Sequence, residues 1–142
     1  MKIRDFELKD QTVLEIGKFA ILWNWFEKEF CNNKCNYRKL EKVVPDINMD
    51  FQCQKKLAEI LEAAYEENAL YPNNAKTSNT DLKEKKAIEG FLRQREEDRA
   101  VGCLVSIYRV RCNMMHGLKV IWQLDEQHEL FEAINKVLES IR

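Results

Sequence analysis

Helix breakers are scarce in this chain: 142 residues hold four glycines and two prolines. Long helices therefore meet few interruptions. Long apolar runs are missing too, and none approaches the roughly eighteen residues a membrane span needs. The segment Met1 to Asp10 alternates charge with single apolar residues, unlike the apolar stretch of a secretory signal. Neither sign of charge is in excess, and the net charge of -1 gives no global attraction to nucleic acid or an acidic membrane. Any phosphate binding has to come from a local patch. The five cysteines (Cys31, Cys35, Cys53, Cys103 and Cys112) are odd in number and irregularly spaced. Without an export signal they read as free thiols in a reducing, cytoplasmic compartment. Cys31 and Cys35 lack a CxxC pair and a matching histidine, so they read as small apolar residues, with no metal or other cofactor expected. What is present, 45% hydrophobic and 33% charged residues, is the balance of a globular chain. Its length suits one domain, 1–142, able to bury a proper core.

Periodicity predicts a first helix from about Lys9 to Phe30, with Asp10 as N-cap. Phe19, Trp23, Phe26 and Phe30 recur at steps of three and four and form one apolar stripe. Leu14, Ile21, Leu22 and Trp25 fall largely outside it. Such a helix is expected to be buried on more than one side, in the core or against a partner chain. Asn32, Asn33, Asn36 and Val44-Pro45-Asp46 signal loops around a short helix near Tyr37 to Val43. A further helix is read over about Phe51 to Asn68, with Leu57, Ile60, Leu61, Ala64 and Tyr65 inward. Tyr71-Pro72-Asn73-Asn74 ends it, and a polar loop follows to Asn79. Ser78 and Asp81 resemble a weak cap for a helix over about Asp81 to Gln94. The next helix, about Glu96 to Met115, stops at Gly117, a natural left-handed C-terminal cap. A short linker with Lys119 and Trp122 leads to a last helix, Asp125 to Ile141, facing inward with Leu130, Phe131, Ile134, Val137, Leu138 and Ile141. The reading is an all-α bundle of about five helices.

The helix over about Glu96 to Met115 carries the chemistry. Advancing about 100° per residue from Val101 puts Val101, Leu104, Val105, Tyr108, Cys112 and Met115 in one arc. Cys103, Ile107, Val110 and Met114 form a second apolar arc, and Gly102, Ser106, Arg109, Asn113 and His116 share a narrow polar strip. A helix with two apolar faces sits centrally in its fold or at an interface. Arg111 lies between the apolar arcs, where a permanent cation needs an anionic partner or an escape to solvent. An internal ion pair satisfies it, and so does a phosphate bound bidentately. His116, at the helix end, is suited either to capping or to proton transfer, and the helix dipole favours its charged form. His128 reads as a surface residue. On an ideal helix Arg111 and His116 stand about 140° and about 7.5 Å apart. One phosphate meets both only if the helix ends or bends between them, or if two copies meet across a two-fold axis.

The segment Ile107-Tyr108-Arg109-Val110-Arg111-Cys112-Asn113-Met114-Met115-His116-Gly117 resembles the HEPN superfamily, marked by an Arg, a few residues and a His near a helix end. It is similar to the branch in which a Tyr precedes an Arg-Asn-Asn-apolar-aromatic-His-Gly run. Lys119, the short linker and the final amphipathic helix fit the same layout. The resemblance implies a HEPN-like helical homodimer and a metal-independent endoribonuclease of a toxin–antitoxin or phage-defence system. It further implies a composite cleft at the dimer axis, an RNA substrate and an antitoxin partner. Arg111 would bind the scissile phosphate and steady its developing charge. His116 would move protons at the ribose 2′-hydroxyl or the leaving 5′ oxygen. Cleavage would leave a 2′,3′-cyclic phosphate and a 5′-hydroxyl. Asn113 would orient the histidine or contact phosphate, with Arg109 and Lys119 as further substrate-binding residues. The alternative within the same resemblance is a non-catalytic domain that binds nucleotide, RNA or a partner protein. Two positions depart from the pattern. Cys112 stands where an Asn is common, and a thiol is the weaker hydrogen-bonding group. Leu118 stands where the branch paired with nucleotidyltransferase antitoxins has a Tyr, so adenylylation there is not implied.

Overall fold

A sequence with so few breakers folds mainly as helix. The computed structural model of the chain describes residues 1–64, 79–115 and 121–142. Among them run six α-helices: α1 (Asp10–Phe30), α2 (Tyr37–Val43), α3 (Phe51–Ala64), α4 (Asn79–Leu92), α5 (Arg99–Met115) and α6 (His128–Glu139). Short 3-10 turns lie at Val44–Asp46, Glu96–Asp98 and Ile121–Gln127. The architecture is all-α apart from an N-terminal hairpin, β1 (Lys2–Ile3) against β2 (Phe6–Glu7), turned at Arg4 with φ 52°. Strands of two residues are too short to show alternation, so periodicity missed them. No described helix is long and apolar enough to cross a membrane.

Several expected boundaries move. Lys9, not Asp10, holds the extended N-cap conformation of α1, and no side chain caps it. Asp10 instead enters the first turn, where its charge suits the dipole. The Lys9 N–H donates to Asp125 Oδ1 at 3.0 Å, tying the start of α1 to the segment before α6. Helix α4 begins at Asn79 and ends at Leu92, short of Gln94, whose φ of 58° takes the chain out of helix. The turn at Glu96–Asp98 then precedes α5, and a 3-10 segment replaces the first residues expected of α6. The expected end of α3 at Asn68, Tyr65, the loop to Ser78 and the Gly117 cap lie outside the described residues.

Helix α6 packs between α1 and α3 and buries Leu130, Phe131, Ile134, Val137 and Leu138, and Ile141 just past its end is buried too, which completes the predicted inward set. The Phe131 ring lies 5.7 Å from that of Phe19 on α1. In the same seam Asn135 Nδ2 donates to both the carbonyl and Oε2 of Glu15, each at 2.9 Å, so the buried carboxylate gains a donor while Asn135 Oδ1 has no partner among the described residues. Helix α5 packs chiefly on α4 and also touches α2 and α3. Gly102 through Ile107 are all buried, which fits the central position that two apolar faces imply. The polar strip of α5 turns toward α4: a side chain on Gly102 would strike the Ala87 carbonyl and Phe91 Cβ.

Among the described residues, one side of α1 is covered by the rest of the chain. Phe19, Trp23 and Phe26 are buried, but Leu14, Ile21 and Trp25 are 53%, 73% and 39% exposed. Of the two expectations for α1, burial of its second side in the chain's own core is not met at these three residues, which leaves burial against a partner chain. The cysteine expectation also needs correcting. Cys31 and Cys35 are joined in a disulfide, while Cys53, Cys103 and Cys112 are free. Asn32 and Asn33, with φ of 52° and 81°, reverse the chain after α1 and bring the two cysteine Cα atoms to 5.0 Å. Asparagine tolerates that left-handed region better than most residues, and the separation is within the range a disulfide spans.

Candidate functional site

Helix α5 places Arg109 and Arg111 on different sides, as a two-residue step on a helix requires. Arg111 turns toward α1, where its Nε lies 3.8 Å from Glu27 Oε1. The Arg111 side chain is 36% exposed and that of Glu27 14%. At 3.8 Å the pair is an electrostatic contact and not a hydrogen bond. Of the two expectations for Arg111, the internal ion pair is present. Beside it runs a groove of about 140 Å³, lined by Ile16, Phe19, Ala20, Trp23, Asn24, Glu27 and Arg111. The floor is therefore the apolar stripe of α1, and one end carries opposite charges.

Glu27 was not singled out by the sequence, although a signal was there. It follows Trp23 by four residues, so a carboxylate falls on the apolar stripe and needs a cation. Arg111, stranded between apolar arcs, needs an anion. Glu27 does more than meet Arg111. Its Oε2 accepts the Cys35 N–H at 3.3 Å, and its main-chain carbonyl accepts the N–H groups of Cys31 and Asn33 at 3.0 Å each. One residue thus ties the candidate arginine to the disulfide turn.

Arg109 turns the other way, with Nη1 4.0 Å from Glu84 Oε1 on α4. Both side chains are largely buried, at 17% and 7% exposure. Neither Arg109 Nε nor Glu84 Oε1 has a hydrogen-bond partner among the described residues. Burial pushes the Glu84 carboxyl up, Arg109 pulls it back and Asp81 adds to the rise. Between the two arginines stands Tyr108, 6.4 Å ring to ring from Trp23. Burial first, and the neighbouring Cys112 thiol second, push its hydroxyl up to about 12, so it is a donor at neutral pH. Cys112 is half-buried, and Asn113 is buried at 6%.

No family model, no curated protein and no solved structure matches this chain. The site is therefore read from its own atoms. Of the five residues singled out from the sequence, the three that are described, Arg109, Arg111 and Asn113, do not form one cluster. Arg111 stands at the α1 groove, Arg109 with Glu84 against α4, and Asn113 inside. His116 and Lys119 lie outside the described residues. What the described atoms offer is a half-exposed guanidinium at the end of an apolar groove, held at a distance by one carboxylate.

Proposed function

We propose that the chain is a HEPN-type helical domain acting as a metal-independent endoribonuclease in a toxin–antitoxin or phage-defence setting. The supporting observation is the state of Arg111: more than a third exposed, and 3.8 Å from Glu27, beyond hydrogen-bond range. A phosphate can take that guanidinium bidentately without first breaking a hydrogen bond between the two side chains. In this reading Arg111 binds the scissile phosphate and His116 transfers the proton, to leave a 2′,3′-cyclic phosphate and a 5′-hydroxyl. Asn113 orients the histidine from inside the fold, and Arg109 and Lys119 add to the substrate-binding field. Where the helix neither ends nor bends between Arg111 and His116, a second copy brings both to one phosphate, and in this reading the working unit is a homodimer. The exposed apolar face of α1 suits that role. RNA is the substrate, an antitoxin the regulatory partner and the cytoplasm the setting.

A second reading has a specific observation in its favour. The Glu27 pair accounts for Arg111 without any substrate, as expected of a non-catalytic HEPN domain that binds nucleotide, RNA or a partner protein. The two readings part in one assay. Labelled RNA is incubated in EDTA with the wild-type protein, His116→Ala and Arg111→Ala. The enzyme reading expects wild-type cleavage with cyclic phosphate ends, and a loss of about 10²-fold or more in each variant. Equal cleavage by all three sinks it, and RNA binding without cleavage establishes the second reading.

A further inference from the structure

The chain of contacts that starts at Arg111 ends at a group with its own chemistry. Cys31 is the C-cap residue of α1, and the bridge to Cys35 closes over Asn32, Asn33 and Lys34, all exposed. Both cysteines are buried at 1% exposure. Cys31 nevertheless lines an open depression of about 420 Å³, which it shares with Lys39 and Lys42. Lys39 Nζ donates to the carbonyls of Cys31 and Lys34 at 2.9 Å each, which fixes an ammonium beside the disulfide turn. Glu29 and Asp46 also line the depression, so the cation that matters is the one bonded to the turn. A positive charge there draws in a thiolate and eases departure of the thiolate it displaces.

We propose that this depression is a thiol–disulfide exchange site for an anionic low-molecular-weight thiol of the glutathione class, and that the Cys31–Cys35 bridge holds Glu27 away from Arg111. In the first step the incoming thiolate attacks Cys31 Sγ, and the disulfide bond breaks. The electron pair leaves on Cys35 Sγ, which takes up a proton. A second thiol attacks the external sulfur of the mixed disulfide and releases the oxidised external pair, leaving Cys31 as a thiol. Two external thiols are oxidised and one protein disulfide is reduced. Because both sulfurs are buried, attack follows a local opening of the exposed turn.

The consequence for Arg111 comes from the shared carboxylate. With the bridge closed, the Cys35 N–H is held on Glu27 Oε2, and Oε1 stops 3.8 Å from the guanidinium. With the bridge open, the Cys35 amide is released and the carboxylate closes on Arg111. The oxidised protein therefore presents Arg111, and the reduced protein masks it. Arg111 belongs to the site proposed above, but neither part of this inference needs RNA cleavage, so the two readings fail separately.

Two measurements on the folded chain test it. Oxidised wild-type protein is treated with reduced glutathione, alkylated and mapped by mass, beside Lys39→Gln. Cys31 and Cys35 become alkylated in native buffer, and Cys35→Ser, whose Cys31 is a free thiol, takes a glutathionyl group from oxidised glutathione with release of one reduced glutathione. Lys39→Gln slows the reaction with glutathione several-fold more than that with uncharged 2-mercaptoethanol. Reduction only after denaturation, or equal slowing for both thiols, overturns the exchange site. Arg111 is then probed with phenylglyoxal in both redox forms of the wild type. Modification is about two- to fivefold faster in the oxidised form, the scale of a partly exposed ion pair, and Glu27→Gln erases the difference. Equal or reversed rates, with Cys31 and Cys35 shown to be reduced, overturn the link.

Discussion

At the scale of single residues the two arginines of α5 are a contrast in commitment. Arg109 faces a carboxylate that is almost wholly enclosed, while Arg111 faces one at the edge of solvent. Replacing Arg109 with methionine keeps the bulk but strands the Glu84 carboxylate. A loss of about 2–3 kcal/mol at neutral pH is expected from a buried group deprived of its partner. The pH dependence has a definite sign. Burial raises the folded carboxyl of Glu84 above its ordinary value of 4.5. Its contribution is therefore fully present below that value and is lost as pH rises through the folded pKa. Removing Arg109 lifts the folded value further, so the deficit of Arg109→Met is larger near pH 7.5 than near pH 5, to about a kcal/mol. Urea denaturation at the two pH values decides it. A deficit that does not vary with pH would show that Glu84 has another partner.

At the scale of elements the α4–α5 contact is set by a missing side chain. Gly102 lies so close to α4 that a methyl group would enter the space of the Ala87 carbonyl, which is backbone and cannot swing aside. Gly102→Ala should destabilise the fold by about 1–3 kcal/mol, the usual range for overpacking. Gly17, on the open side of α1, meets nothing within 4 Å. Gly17→Ala should stabilise by about 0.5–1 kcal/mol through helix propensity and a less flexible unfolded chain. Thermal melts of the two variants should move in opposite directions, and a common sign would contradict the packing described. Such differences show what the sequence can disclose. The inward set of α6 was legible because Leu130 to Ile141 repeat at helical spacing against a polar opposite face. The Glu27–Arg111 pair was half legible, since each residue was out of place in its own helix and only folding matched them. The Cys31–Cys35 bridge was not legible, because it depends on two consecutive asparagines with positive φ, which no periodicity encodes.

At the scale of the whole molecule the unsolved element is the outer face of α1. Leu14, Ile21 and Trp25 follow at steps of seven and four, so they form one exposed apolar line on α1, well around the helix from the residues that line the groove at Arg111. The described residues leave this line largely exposed, and the proposed composite site draws on a second copy. In the proposed reading one homodimer seated on α1 covers this line and supplies the second copy. Ile21→Glu tests this with little risk to the fold, because at 73% exposure the side chain supports nothing inside the monomer. Light scattering should find the wild type as a dimer and Ile21→Glu as a monomer at the same concentration, with unchanged helical circular dichroism. RNA cleavage should disappear with the dimer while the thermal stability of the monomer stays within about 0.5 kcal/mol of the surface-substitution norm. A wild-type monomer that cleaves RNA would remove the need for a second copy and force Arg111 and His116 into one chain's site, against the 140° or so that separates them on a straight helix.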